Sequence, residues 1–203
     1  MKKTKENGRD RLIVSALTLF CERGYHGVSV REICDHANAN PSLISFHFGG
    51  KEALLETIFE GMKSSKFDEL ENILSSVQDE NEFKLKLKIF FNSYVEFYLE
   101  NSEVIRLYLE QLEREHPYAV SLFPHTFGKL WHGLVNFIHQ AQEKGIVDRG
   151  LDSKVLAYSI WTPVTASMRS KKSTHLACQF SLKDQTFLDL LIKQIIESIK
   201  IAA

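Results

Sequence analysis

The feature that most constrains this chain is the segment SVREICDHANANPSLISFHFGGK, residues 29–51, which predicts two short helices joined by a tight turn. Ser29 and Glu32 have the spacing of a capping box, in which each side chain satisfies a backbone N–H at the start of a helix. An apolar stripe at helical spacing follows, made of Val30, Ile33, Cys34 and Ala37. The first of the two helices is therefore predicted to be capped by Ser29.

Local signals also delimit the second helix at both ends. Asn38 tolerates the left-handed backbone that a tight turn needs. Asn40 is a good cap, and Pro41 suits the first helical position, where a missing N–H costs nothing. The two glycines at 49–50 are predicted to end the helix and to permit a sharp change of direction.

One face of this second helix is apolar, because Ile44 and Phe48 are four residues apart and are predicted to face inward. The side chains predicted to face outward are Ser42, Ser45 and His47, with Phe46 partly exposed. A short helix with small and polar residues at its start fits the major groove of DNA. Residues 29–48 are therefore predicted to form a helix-turn-helix.

An earlier helix is predicted to support this pair. Before Gly24, apolar residues recur on one helical face at Leu12, Ile13, Ala16, Leu17 and Phe20. Tyr25 follows the glycine, where a hydrophobic contact back to the helix is expected. Residues 1–51 are therefore predicted to form a three-helix unit with a small core.

Residues 11–58 resemble the N-terminal DNA-binding domain of the TetR family of bacterial transcription regulators. The matched positions occur in the right order and without gaps, and they are Leu19-Phe20, Gly24-Tyr25, Ser29, Ile33, Ala37, Asn40, Ile44, His47-Phe48 and Lys51-Glu52. Two positions depart from the family pattern: Asn38 replaces the usual turn glycine, and Ser45 replaces a common Tyr or His. Neither departure breaks the pattern of two helices and a turn.

The resemblance implies an all-α fold with a three-helix DNA-binding head, residues 1–51, and a larger helical domain, residues 52–203, for ligand binding and dimerisation. Carried over position by position, it implies DNA contacts from Ser29, Val30, Arg31, Asn40, Pro41, Ser42, Leu43, Ser45, Phe46, His47 and Lys51. Helix N-terminal N–H groups, hydroxyls and imidazole suit phosphate, and an apolar contact at Leu43 suits a thymine methyl. Since few of these side chains are long, much of the specificity is expected to come from DNA shape.

Several of these residues have a structural alternative. Ser29 and Asn40 are needed as caps with or without DNA. His47 could pack beside Phe48, and Arg31 could be a solvated surface charge. Lys51 stands at a helix start, where a cation opposes the helix dipole and is unfavourable unless an anion lies nearby.

Beyond residue 51 the apolar pattern is helical nearly everywhere, which gives about nine helices in all. Residues 51–77 are predicted as one long helix, followed by helices over about 82–100, 102–115, 121 or 124 to 144, 152–168 and 184–199. Asp152 and the pair Ser181 and Asp184 are start signals for the last two helices. Pro117 is predicted to break the helix over residues 102–115, before the next helix begins at about residue 121 or 124.

The last two helices carry apolar residues over more of their circumference than one buried face needs. A helix of this kind buries surface on two sides, and in a chain of this size we expect another subunit to cover the second side. The resemblance implies the same homodimer, paired through these two helices as a four-helix bundle. Twofold symmetry would place two recognition helices roughly 34–36 Å apart, or a multiple of that distance, on near-palindromic double-stranded DNA.

The resemblance also implies a small hydrophobic or aromatic ligand that binds the C-terminal domain and releases DNA, which makes the chain a repressor. The candidate lining residues are Phe90, Tyr94, Tyr98, Tyr108, Phe127, Trp131, His132 and Trp161. Aromatic residues at helical spacing are more often core than ligand site. His132 is singled out because a histidine among apolar neighbours needs a polar partner.

Charge and cysteine content are consistent with this prediction. Residues 1–51 carry eight Lys and Arg against five Asp and Glu, whereas the remaining residues carry 17 against 21. A basic head on an acidic body fits a protein that binds DNA with one end. The three cysteines, Cys21, Cys34 and Cys178, are expected to be reduced thiols in a cytoplasmic protein. No apolar run has transmembrane length, so no membrane partner is expected.

Other classes of function leave little signal in the sequence. There is no nucleophile elbow, phosphate loop or zinc motif, so no enzyme activity, catalytic residue, metal or cofactor is predicted. The alternative that stays open is a helical interaction module, or a dimer, whose first fifty residues never touch DNA.

Overall fold

The computed structural model describes residues 8–62, 65–169 and 185–199. This part of the chain is all-α and contains no β-strand, which confirms the predicted fold class. A 3-10 turn spans Phe123–His125. The α-helices are α1 Gly8–Arg23, α2 Val30–His36, α3 Ser42–Phe48, α4 Lys51–Glu60, α5 Ser65–Ile73, α6 Glu80–Glu100, α7 Ser102–Glu113, α8 Pro117–Leu122, α9 Phe127–Glu143, α10 Ser153–Arg169 and α11 Gln185–Glu197. Not one of these described helices combines the length and apolar character that a membrane span requires.

The helices form two compact units. The first contains α1–α4 together with α7 and α8, and the second contains α5, α6 and α9–α11. The first unit therefore includes more of the chain than the predicted head of residues 1–51. The head is the predicted DNA-binding segment, residues 1–51, whereas the first unit is the larger packed body that contains it.

The predicted single helix over residues 51–77 is wrong. Helix α4 ends at Glu60, and Gly61 caps it by donating its N–H to the carbonyl oxygens of Thr57 and Phe59. A glycine inside a helix costs about 1 kcal/mol relative to alanine, so this position is a natural end. The next described helix, α5, begins at Ser65.

A second difference lies after Pro117, which begins the short helix α8. The predicted helix from residue 121 or 124 instead begins at Phe127, after the 3-10 turn. With α4 and α5 separate, the described residues form eleven α-helices where about nine were predicted. Asp152 does cap α10, since its Oδ1 accepts the N–H of Lys154 at 2.9 Å. Ser181 and Asp184, Cys178 and residues 1–7 lie outside the described residues.

The core of the first unit is built from the helix faces that the sequence predicted. On α1, Leu12, Ala16 and Phe20 each have at most 1% of their surface exposed to solvent. The Phe59 ring of α4 meets the Tyr108 ring of α7 edge to face, with centroids 5.4 Å apart. The ring pair joins α4 to α7, and α1 packs against α2, α3, α4 and α7.

The core of the second unit is largely aromatic. Phe83 of α6 stacks on Phe137 of α9 with ring centroids 5.3 Å apart. Phe67 of α5 contacts both Phe97 of α6 and Phe127 of α9 edge to face. Aromatic pairs of this kind stabilise by about 0.5–1.5 kcal/mol each beyond the burial of their area.

Candidate nucleic-acid interface

Helix α2 begins with the capping box that the sequence predicted. The N–H of Glu32 donates to Ser29 Oγ at 3.2 Å, while Ser29 N–H donates to Glu32 Oε2 at 2.7 Å. The Ser29 hydroxyl donates to the same carboxylate at 2.7 Å. Both donors of Ser29 are therefore engaged, so a phosphate contact from this residue requires one of these bonds to be exchanged.

The carboxylate of Glu32 is the polar centre of this helix start. Arg23 of α1 lies 2.7 Å from Glu32 and also donates to the carbonyl of Gly27 at 2.9 Å. Hydrogen bonds from the Ser29 hydroxyl and backbone, with Arg23 beside them, lower the pKa of Glu32 to about 2. The ionised side chain thus links the end of α1 to the start of α2.

The turn between α2 and α3 has the predicted left-handed residue. Asn38 has φ 49°, and the following N–H, of Ala39, donates to the carbonyl of Cys34 at 2.9 Å. Asparagine tolerates this conformation better than most residues. The turn forms although the usual glycine is absent.

The start of α3 is organised by Asn40. Its Oδ1 accepts the N–H of Ser42 at 2.9 Å and the Ser42 hydroxyl at 2.8 Å. Pro41 between them has helical angles, φ −52° and ψ −31°. The Asn40 side chain thus bonds the start of the helix as predicted, although the assigned helix begins at Ser42, one residue later than predicted, with Pro41 in the cap position. Helix α3 ends at Gly49, whose φ of 87° favours glycine.

Helix α3 is buried on one side and open on the other. Ile44 is completely buried, whereas Phe46 has 79% of its surface exposed. Pro41, Ser42 and Ser45 are exposed as well. The open face thus offers two hydroxyls, a proline and one large aromatic ring.

His47 is half-buried, with its ring 5.0 Å from Phe46 and 6.0 Å from Phe48, measured between centroids. Leu43 and Val30 are half-buried too, while Arg31 is almost fully exposed. The Nε of Arg31 lies 3.9 Å from Asp35, too far for a strong bond. The packing alternative for His47 is thus present, and the residue also stays partly exposed to solvent.

Lys51 begins α4 and packs against aromatic rings. Its Nζ lies 4.2 Å from the centroid of Tyr25 and 5.7 Å from that of Phe20. Partial burial lowers the pKa of Lys51, against the opposing effect of the Glu32 charge. The Tyr25 ring also meets Phe20 edge to face at 5.2 Å, which confirms the predicted contact after Gly24.

One residue at this surface was missed by the sequence reasoning. Arg9 of α1 places its guanidinium 5.3 Å from the centroid of Phe48, the last residue of α3. No local spacing could have revealed this pair, because the two residues are brought together only by the packing of α1 on α3.

The residues predicted to line a ligand site are not all brought together. Phe90, Tyr94, Tyr98 and Trp161 form one aromatic cluster in the second unit, with the Tyr94 and Trp161 rings 4.9 Å apart. Burial raises the pKa of Tyr94. Tyr108 instead belongs to the first unit, where its hydroxyl donates to the carbonyl of Ala119 at 2.9 Å.

The remaining three candidates lie on α9. Phe127 packs on Phe67, and Trp131 is half-buried. His132 is exposed. The expectation that it sits among apolar neighbours and needs a buried partner is therefore wrong, since the register of α9 turns it to solvent.

Comparison with known proteins agrees with this geometry. Residues 12–58 match the family model described as "Bacterial regulatory proteins, tetR family". The chain is 32% identical over 88 residues to a protein named as a probable HTH-type transcriptional regulator, YttP of Bacillus subtilis. That alignment covers 43% of this chain and 42% of YttP, so the chain spans less than half of that relative.

A longer alignment joins the chain to IcaR of Staphylococcus aureus, named as an HTH-type negative transcriptional regulator of the biofilm operon icaADBC. The two are 26% identical over 148 residues, 72% of each. The fold is similar to that of the ketosteroid transcriptional regulator KstR2 of Mycobacterium tuberculosis, with a TM-score of 0.73 at 19% identity over 96% of both chains. The capped helix-turn-helix, the family match over residues 12–58 and the shared fold together lead to one conclusion: this chain carries the DNA-binding domain of the TetR family of transcription regulators.

Proposed function

We propose that the protein is a homodimeric repressor that binds a near-palindromic operator and is released by a small molecule. The observation that carries this proposal is the proline-led helix α3, which is held by a buried Ile44 and presents an open face around Phe46. A short exposed helix of this kind suits the major groove. We retain the functional division into a DNA-binding head, residues 1–51, and an effector and dimerisation domain, residues 52–203.

We assign the DNA contacts by position and chemistry. Ser29, Val30, Arg31, Asn40, Pro41, Ser42, Leu43, Ser45, Phe46, His47 and Lys51 form the contact surface. The exposed hydroxyl of Ser45 suits phosphate, and that of Ser42 can donate to phosphate once its bond to Asn40 is exchanged. Phe46 has an apolar ring without a donor, so it suits a sugar or a thymine methyl.

The proposed dimer interface is supported by apolar side chains left exposed on α10 and α11. Val155 and Tyr158 of α10 are three residues apart and are 64% and 62% exposed. Leu190 of α11 is 54% exposed. Exposed apolar patches on a soluble protein commonly mark an interaction surface. A twofold pair through these helices would present two copies of α3 to DNA.

Repression and release are the parts of the proposal that rest on relatives and on the second unit. IcaR, the relative with the longer alignment, is named as a negative regulator. The cluster of Phe90, Tyr94 and Trp161 offers an apolar, aromatic environment for a small hydrophobic or aromatic effector. No cofactor is required for this cycle, and a regulator of chromosomal DNA works in the cytoplasm.

Selection from fragmented genomic DNA tests the proposal. The full chain is mixed with the fragments, the bound fraction is sequenced, and an enriched inverted repeat is expected. Ser45→Glu is the matched control, since an added carboxylate on the exposed face of α3 repels phosphate and should abolish the enrichment. If wild-type protein enriches no repeat, the protein is instead the helical interaction module that the sequence left open.

A further inference from the structure

The first unit contains a surface groove of about 510 Å³, and none of the assigned DNA contacts lines it. Its walls come from α1, from the end of α4 and from the junction that opens α7. Its apolar lining consists of Ile13, Leu17, Ile58, Met62 and Val104. A cleft of this volume with an apolar lining is typical of a small-molecule site.

Two charged side chains border the groove, and they are not equivalent. Glu60 accepts a hydrogen bond from the Tyr118 hydroxyl. Arg9 lies over the Phe48 ring, and no carboxylate pairs with it in the part of the chain that the structure describes. A guanidinium beside an apolar cleft, without a salt-bridge partner, complements an anion with an apolar tail.

We infer that this groove binds a small amphipathic carboxylate, whose head pairs with Arg9 and whose tail lies on the apolar lining. The site is separate from the aromatic cluster of Phe90, Tyr94 and Trp161, which belongs to the second unit. It therefore adds a second ligand site to the effector site of the proposed function.

The position of Arg9 gives this site a consequence for α3. The guanidinium that would meet the carboxylate now lies 5.3 Å from the centroid of Phe48, at the end of α3. A cation on an aromatic face contributes about 0.5–1 kcal/mol at an exposed site. A bound carboxylate draws Arg9 away from Phe48, so ligand and operator oppose each other, and by linkage the opposition is mutual. This consequence rests on the proposed function, whereas the binding site does not.

Methyl NMR on the full-length protein tests the site without DNA. Sodium decanoate is titrated below its micellar concentration into protein labelled at isoleucine and methionine methyl groups. Saturable shifts are expected for Ile13, Ile58 and Met62. Shifts confined to Ile160 and Ile192, which are buried in the second unit, would overturn the inference.

Charge variants test the head group. Arg9→Gln should weaken decanoate binding at this site by about tenfold, the loss expected for one charge-assisted hydrogen bond. Arg11→Gln is the matched control, because Arg11 is exposed on the same helix but does not line the groove. Glu60→Gln should tighten binding. Equal affinity in Arg9→Gln and wild type, or tighter binding of decyltrimethylammonium than of decanoate, would exclude a carboxylate site.

A second variant, which fills the groove, tests the site even if the Arg9→Gln protein does not fold. Val104→Phe fills the groove from a half-exposed position and should abolish the shifts of Ile13 and Met62 while leaving the spectrum dispersed. Retained shifts in this variant would place decanoate elsewhere. In a separate measurement, decanoate should weaken operator binding by wild type more than by Arg9→Gln. If no operator is found, the NMR titration still shows whether decanoate binds in the groove.

Discussion

Helix α3 and the pair of helices α10 and α11 both leave apolar side chains in solvent, and they do so differently. Helix α3 exposes one ring, Phe46, among serine hydroxyls and beside His47. Helices α10 and α11 expose several apolar side chains, Val155, Tyr158 and Leu190. A single aromatic ring among hydrogen-bond donors suits DNA, because the donors can bind phosphate and the ring can contact a thymine methyl group. Several exposed apolar side chains on two helices that pack on each other suit another protein surface. Exposure alone thus does not identify a partner, whereas the neighbours of the exposed group do.

The largest effect is expected from breaking the apolar surface of α10. Tyr158→Asp places a charge in the proposed interface and should cost the dimer about 2–4 kcal/mol, as for a central interface residue. Operator affinity should fall with it, because each half-site then binds alone. Sedimentation velocity and operator titration measure the two losses.

Val120→Asp is the control for that change, since Val120 is an exposed apolar residue of α8, 47% open. It should leave the dimer intact. If it dissociates the protein as strongly as Tyr158→Asp does, the dimer does not depend on the α10 and α11 surface.

The next largest effect is expected at Phe46. Phe46→Glu removes the exposed ring and adds a charge that repels phosphate, so operator affinity should fall by about 2 kcal/mol, or some thirtyfold. The dimer should be unchanged, which separates the two surfaces. Fluorescence anisotropy with labelled operator measures the change. Val14→Glu, at a 61% exposed position of α1, is the matched control, and an equal loss there would mean that charge alone weakens binding.

A smaller and more specific effect is expected for Lys51. Lys51→Ala should reduce the slope of log affinity against log salt by about one unit, the amount for one lost phosphate contact. Because Nζ also lies over Tyr25, thermal unfolding should occur at a slightly lower temperature. Lys51→Arg should preserve both properties. An unchanged slope in the alanine variant would mean that Lys51 only packs on Tyr25.

The smallest effect concerns the support of α2. Glu32 has a pKa of about 2 in the folded protein against an ordinary value of 4.5. The unfolded chain therefore binds more protons between these values, so stability present above pH 4.5 is lost as pH falls toward 2. Denaturant titrations across this range should show a shallower decline for Glu32→Gln than for wild type. Parallel curves would mean that Glu32 does not contribute to the loss of folding stability at low pH.

The helix ends were predictable from sequence because caps act over three or four residues. Ser29 with Glu32, Asn38, Asn40 and Gly49 each have the conformation or bonds that local chemistry requires. The apolar faces of α1 and α3 followed from periodicity alone.

The errors came from places where local patterns compete. The apolar spacing continues across Gly61, so one helix was predicted where two form. Aromatic composition grouped Tyr108 with the ligand candidates, although it belongs to the first unit. His132 was judged by its neighbours in sequence, whereas the helical register decides what surrounds it.

By itself, the sequence determined the all-α class and the capped helix-turn-helix, because capping, turn chemistry and helical periodicity operate within a few neighbouring residues; the TetR family was recognised from the resemblance of residues 11–58 to its DNA-binding domain. Only the tertiary structure placed Arg9 on Phe48, Lys51 on Tyr25 and a groove between α1 and α4. These arrangements join residues that are distant along the chain, and their geometry depends on how whole helices pack, which no local pattern specifies.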